Sequence, residues 1–282
     1  MLRLNCLALV VAANFSLFLL QAAAPVADAA EISIKSHGWG RFSPGAWRIA
    51  RVTTDTLDKD GKVVSTIVKE EMVQLVAVRR KTVVLKIESI VEVGGRTLIA
   101  PVQMISLGVH GEPVGRELAA QDLGEQDTVV GGRRVSCREH SFRVADRDQQ
   151  KEVRVLFSAD VEPRILRRET VTKGPDQKQR YRKEVQVVSF EKPQKVLDRV
   201  VSASEVKTVL INGKNSTVTV ALHSPEVPGE VISSTSRESD GSGGVIRRSI
   251  LEVVDYGYTE PDNSWNFPSR RQYRRFVRRN LR

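Results

Sequence analysis

The sequence predicts a mainly β protein: a large antiparallel curved sheet or open barrel built from meander units, ending in a short C-terminal helix or a disordered basic tail. Three observations carry that fold class. Apolar and polar residues alternate with period two through much of the chain, and glycine-rich turns punctuate the runs at hairpin spacing. No helical periodicity stands out before residue 268.

Residues 1–29 read as a signal peptide. Arg3 gives a positive start and Leu7 to Leu20 is mostly apolar. Ala27-Asp28-Ala29 then places small residues where a signal peptidase reads them, so cleavage is expected near Ala29. The apolar stretch falls short of the roughly 20 residues that span a bilayer. An exported location, periplasmic or extracellular, follows.

Residues 30–104 form an N-terminal β unit. Arg51–Thr56 and the run Val63–Val78 flank a turn at Asp58 to Gly61. Val83, Leu85, Ile87, Ser89, Val91 and Val93 share one strand face, opposite Lys86, Glu88 and Glu92. Gly94-Gly95 then sets a two-residue hairpin into Thr97–Val102. Residues 105–127 carry Gly108, Gly111, Pro113, Gly115 and Gly124 among polar residues. They read as a linker or long surface loop, in which Glu117–Leu123 has room for one or two helical turns.

Laying residues 133–190 over 198–255, an offset of 65, aligns nine identical positions. Val153 and Val155 meet Val218 and Val220, and Pro163 meets Pro228. The match predicts two four-strand meander repeats, 128–192 and 193–257. In the first, strands fall at 133–145, 151–158, 164–173 and 178–190. The turns at Lys173 to Asp176 and Asp240 to Gly244 correspond. Residues 258–282 are a basic C-terminal tail.

The formal net charge of +10 is unevenly placed. Arg270, Arg271, Arg274, Arg275, Arg278, Arg279 and Arg282 crowd the last thirteen residues, with no acid among them. The mature body without that tail is close to neutral, at +3. A nucleic-acid-binding fold would carry its basic stripe on the body, so no nucleic acid is expected as a partner. Ser269 after Pro268 suits a helix N-cap, and Tyr273, Phe276, Val277 and Leu281 recur at helical spacing. Three readings stay open for the tail: an amphipathic helix on an anionic surface, a helix docked on the open end of the sheet, or a disordered segment.

Chemistry is sparse. Cleavage of the leader removes Cys6 and leaves Cys137 alone, so no internal disulfide forms. The four histidines, His37, His110, His140 and His223, sit in no recognisable pairing. Cys137 and His140 would point to opposite faces of a strand. The stretch Thr56 to Gly61 resembles part of a calcium loop, but Thr56 and Ile67 stand where ligand acids belong, which leaves a plain hairpin turn. No catalytic residue, metal site or cofactor is implied, and no ligand-binding residue can be named. The stretch His37 to Trp47 concentrates two tryptophans, Phe42 and a Pro-Gly turn. It suits either the mouth of a ligand site or a plug for the end of a β core.

Trp39 to Trp47, the valine-rich run after Asp60-Gly61, and Gly108 to Val114 resemble a family of uncharacterised secreted proteins of planctomycete bacteria. That resemblance implies export and brings no activity. The repeated strand, Val-Pro and turn unit is more distantly similar to the periplasmic lipoprotein-carrier (LolA/LolB-like) half-barrels, which wrap a curved sheet around an acyl chain. Together these readings suggest a non-catalytic envelope binding protein, whose basic tail contacts an anionic membrane surface or an acidic envelope partner. The alternative is a carrier holding a lipid or other apolar ligand in the concave sheet face. Oligomeric state is open.

Overall fold

A computed structural model describes residues 33–108, 116–146 and 149–261 of the chain. The expected leader, the basic tail beyond Pro261 and His110 therefore lie outside the described residues. After a single 3-10 turn at Ile34–Ser36, fourteen strands follow in order. The first five are β1 (Trp47–Leu57), β2 (Val63–Val78), β3 (Thr82–Val93), β4 (Arg96–Ile99) and β5 (Gln103–Gly108). Then come β6 (Arg116–Val130), β7 (Arg133–Asp146), β8 (Gln149–Phe157), β9 (Ile165–Lys173) and β10 (Gln179–Val196). The chain closes with β11 (Arg199–Asn212), β12 (Asn215–His223), β13 (Val231–Ser239) and β14 (Val245–Gly257).

All fourteen join one antiparallel sheet, in the order β4-β3-β2-β1-β14-β13 and so on down to β6, with β5 beside β4 on the outer edge of β3. The mainly β, open-sheet reading holds. Because β1 pairs with β14, the first and last strands meet inside the sheet, away from both edges. The two sheet edges are β4 with β5, and β6, neighbours in sequence that do not pair.

The expected hairpins follow from their turn residues. Gly94 and Gly95 both adopt positive φ, 54° and 74°, as a two-residue turn between β3 and β4 demands. The Asp58 carboxylate accepts from the backbone N–H of Asp60 and of Lys62, each at 2.9 Å, which gives that acid a turn-closing place. Asp240 does the same for Ser242 and Gly244 between β13 and β14.

Two expectations need correcting. The stretch 105–127, read as a linker, is the end of β5 and most of β6, with 109–115 outside the described residues; the backbone at Glu117–Leu123 is strand, not helix. The supposed boundaries at 104/105, 127/128 and 192/193 fall inside β5, β6 and β10. The expected offset of 65 does not match the strands either. The starts of β7, β8, β9 and β10 lie 66 residues before those of β11, β12, β13 and β14. At an offset of 65, Val153 and Val155, 3 % and 0 % exposed, would sit over Val218 and Val220, both 38 % exposed. A one-residue slip exchanges the two faces of a strand. At 66, buried meets buried: Val135 with Val201, Val161 with Val227, Leu166 with Ile232, and Val187 with Val253.

Cross-strand partners share a face. Following the register, Ala50, Val253, Ala221, Val206, Val187 and Val155 lie on one face, and all are buried. The opposite face carries cross-strand ion pairs, among them Arg51–Glu70 at 2.7 Å, Arg167–Glu184 at 2.7 Å and Arg182–Glu169 at 2.9 Å. Three apolar clusters form where hairpins turn at the same end of the sheet. Each sets two valines five residues apart across the turn: Val78 and Val83, Val130 and Val135, Val196 and Val201. Each cluster is closed by a segment inserted over it, carrying Trp39, Val161 and Val227 respectively. Burial of such side chains stabilises by about 1.5–3 kcal/mol apiece, which makes this end the anchored part of the sheet.

Candidate binding surface

The segment from Ser33 to Ala46 is the plug form of the aromatic motif, not an open mouth. Trp39 is 6 % exposed and packs with Ala46, Val73, Leu75, Val83 and Leu85, while Ile34 and Phe42 flank them. Gly229 explains why the indole fits. Its N–H donates to the Gly38 carbonyl at 3.0 Å, its φ is +78°, and a Cβ placed there would lie 2.8 Å from the Trp39 ring. Arg48, on the buried face of β1, stacks over the same ring at 5.8 Å and donates to the Val231 carbonyl at 3.0 Å. Burial lowers its guanidinium to about 10, partly offset by Glu71, and its Nε is buried without a hydrogen-bond partner.

Arg41 ties this segment to both inserted loops. Its Nη2 donates to Glu162 Oε2 and to Glu230 Oε1, each at 2.9 Å. Glu162 also accepts from Arg164 Nε at 3.1 Å, and Glu230 Oε2 lies 3.9 Å from His223 Nδ1. Behind them His37 accepts the Trp39 N–H at its Nδ1, 3.1 Å away. Burial drives His37 down to about 4, against the pull of Glu230 and with the help of Arg168. A neutral imidazole accepting a backbone N–H is a structural acceptor here, and the whole junction acts as a latch between the N-terminal segment and the two loops.

Sequence reasoning did not single out Arg41, Glu162 or Glu230 as partners. The available signal was that both acids flank the aligned prolines: Glu162 precedes Pro163, and Glu230 follows Pro228 by two. Cys137 and His140 stand three residues apart on β7, both buried, with Gln126 and Asp122 as their partners on β6 and a register shift between the two pairs. The thiol donates to the Gln126 carbonyl at 3.0 Å, and burial pushes it up. Burial pushes the His140 imidazole down, with Asp122 opposing. The expected surface-binding arginines, Arg270 through Arg282, lie outside the described residues.

Two clefts open near the anchored end. One, of about 270 Å³, is lined by Gln126, Glu139, Arg154, Arg167, Glu169 and Gln186, together with Val155 and Val187. The other, of about 250 Å³, lies between Asp160, Glu162 and Pro225 of the two loops and Arg133, Glu191 and Ser202. Both walls are mostly polar or charged, which suits polar ligands better than acyl chains.

Neither a protein-family model nor a curated protein matches the chain. Among solved structures it is similar to a Bacteroides fragilis protein described as exported and of YmcC-like fold, at 7 % identity over 76 % of this chain and 97 % of that one, with a TM-score of 0.28. A protein from Parabacteroides distasonis described as a lipoprotein gives 9 % identity, 76 % and 96 % coverage and a TM-score of 0.28. Likenesses this shallow leave the resemblances drawn from the sequence standing on their own residues.

Proposed function

We propose that the protein is an exported, non-catalytic binding module of the cell envelope, whose arginine tail contacts an anionic surface or partner. The observation that carries this reading is the contrast between body and tail in charge pairing. On the body, arginines are matched across strands by Glu70, Glu169, Glu184 and Glu238, and Arg41 is matched twice. The tail holds seven arginines in thirteen residues with no acid to match them. Polyanionic lipid surfaces attract such a segment by about 1 kcal/mol per basic residue. The apolar-ligand alternative gains little from these sites, because the plug fills the Trp39 cluster and both clefts described above are mostly polar.

The test is co-sedimentation of the exported chain with vesicles of anionic and of neutral lipid. Binding to anionic vesicles that weakens with salt, and that is lost when residues 269–282 are deleted, is the expected result. Equal binding with and without the tail would overturn the reading. An extractable lipid retained through purification would move the carrier alternative to the front.

A further inference from the structure

Among the described residues the sheet ends in two unpaired edges, and they are built differently. β6 is blunted as natural edges are. Its pairing with β7 is broken by register shifts between Glu117 and Ala119 and between Asp122 and Gly124, and its sequence carries Glu117, Asp122, Glu125 and Asp127. The β4–β5 edge lacks those charges. From Arg96 to Gly108 the one charged residue is Arg96 itself. Leu98, Ile99, Val102 and Met104 are 60 %, 66 %, 55 % and 57 % exposed. An apolar edge left open in this way is a template for another strand.

Its pattern is also self-complementary. Ile99 pairs with Ile90 of β3, and Met104 with Lys86, so both project to one face; Leu98 pairs with Val91 and Ile105 with Leu85, on the other. Place a two-fold axis between Pro101 and Val102 and run a second copy antiparallel to the first. Ile99 then meets the other copy's Met104, Leu98 meets Ile105 and Thr97 meets Ser106. Every pair keeps to its own face, and Arg96 meets Leu107 rather than its own copy. The stretch Ala100 to Val102, which belongs to neither strand, falls at the axis where no ladder is required. A shift of the axis by half a residue would set the two faces against each other.

We propose that this edge is the isologous interface of a homodimer, two copies joined antiparallel through β4 and β5 into one continuous sheet. The neutral, palindromic apolar row favours a second copy over a charged partner segment, which would find no complementary charge along it.

Sedimentation velocity on the full chain exported from a bacterial host, across a dilution series, tests this directly. The wild-type chain should run as a dimer that dissociates on dilution. Ile99→Glu or Met104→Lys alone should weaken dimerisation by about tenfold or more, since each change spoils two symmetry-related cross-strand pairs. Both positions are exposed, so folding should persist, and unchanged far-ultraviolet circular dichroism would check it. The double variant I99E/M104K sets the introduced carboxylate of each copy against the introduced ammonium of the other, twice over, and should restore the dimer. A monomeric wild type overturns the proposal. So does a dimer indifferent to both single changes, a double variant as weak as the singles, or a dimer broken instead by Val129→Lys on the β6 edge.

Discussion

The clusters under the Val161 and Val227 loops share one frame yet differ in what sits on top of them. The loops run from Ser158 to Arg164 and from Ser224 to Glu230, and each is closed by the serine N–H donating to the last carbonyl, at 2.9 and 2.8 Å. In both, the serine hydroxyl accepts from the N–H two residues on, at 3.4 Å. Sixty-six residues separate each part from its counterpart, and the buried valine keeps its place. Pro163 in the first loop corresponds to Gly229 in the second. A whole pyrrolidine ring is tolerated at one site where the other has no room for a methyl group, because Trp39 lies directly against Gly229. The N-terminal segment is thus committed to the second loop by packing, and is tied to the first through the ion pair between Arg41 and Glu162. One frame serves as a seat for the plug in one copy and as the wall of a polar cleft in the other.

The sharpest way to break this comparison is Gly229→Ala. The substitution puts a Cβ 2.8 Å from the indole and a side chain at φ +78°. Left-handed strain of about 1–2 kcal/mol and overpacking of about 1–3 kcal/mol add to a loss of about 3 kcal/mol. Chemical denaturation should show it, together with a change in Trp39 fluorescence. A loss below about 1 kcal/mol would mean that the plug shifts freely and does not depend on the second loop.

An effect of similar size tests the same seat by pH. His37 stands next to Glu230 and Arg168, and burial lowers its pKa from 6.5 to about 4. A group whose folded pKa lies below its unfolded value resists protonation in the native state. As pH falls below 6.5 the unfolded chain takes up the proton first, so stability drains until about pH 4, by up to about 1.4 kcal/mol per pH unit. His37→Asn keeps an oxygen to accept the Trp39 N–H and removes the titration. The variant should lose less stability than the wild type between pH 6.5 and 4, read as the difference in thermal midpoint. Equal losses in the two proteins would place the acid sensitivity elsewhere.

What was legible in the sequence follows from which forces are local. β2 was bounded correctly because the valine-rich run Val63–Val78 starts just after the Asp58–Gly61 turn and ends at the charged Arg79-Arg80-Lys81, and Gly94-Gly95 set the hairpin after β3 by its backbone needs alone. β6 was missed because an edge strand with two bulges shows no clean alternation, and its acids and Gly124 look like loop. The offset of 65 was mis-registered, since the valines of β8 lie on its buried face and those of β12 on an exposed one, and composition alone does not say which face is buried. The latch was invisible for a different reason. Arg41 finds Glu162 and Glu230 across 121 and 189 residues of chain, and no local pattern announces a contact set by the closure of β1 on β14.

The smallest effect tests whether the edge position of β6 matters to its cluster. Cys137 occupies the place that Ala203 fills in the second copy, at 4 % and 1 % exposure. If the clusters are equivalent, Cys137→Ala converts one into the other and leaves only a small void, at a cost of about 1 kcal/mol. The surroundings differ in one respect. Ala203 lies on β11 beside β10, which has a second neighbour in β9, whereas Cys137 lies on β7 beside β6, which has none. Its thiol donates to the Gln126 carbonyl and so adds a side-chain link to an edge strand that has a single ladder. Hydrogen exchange separates the two contributions. If the sulfur only fills space, Cys137→Ala slows or speeds no amide of β6 beyond the global change. If it tethers the edge, the amides around Gln126 exchange faster while those of β10 keep their protection, and the two copies of the frame then differ because one ends the sheet and the other does not.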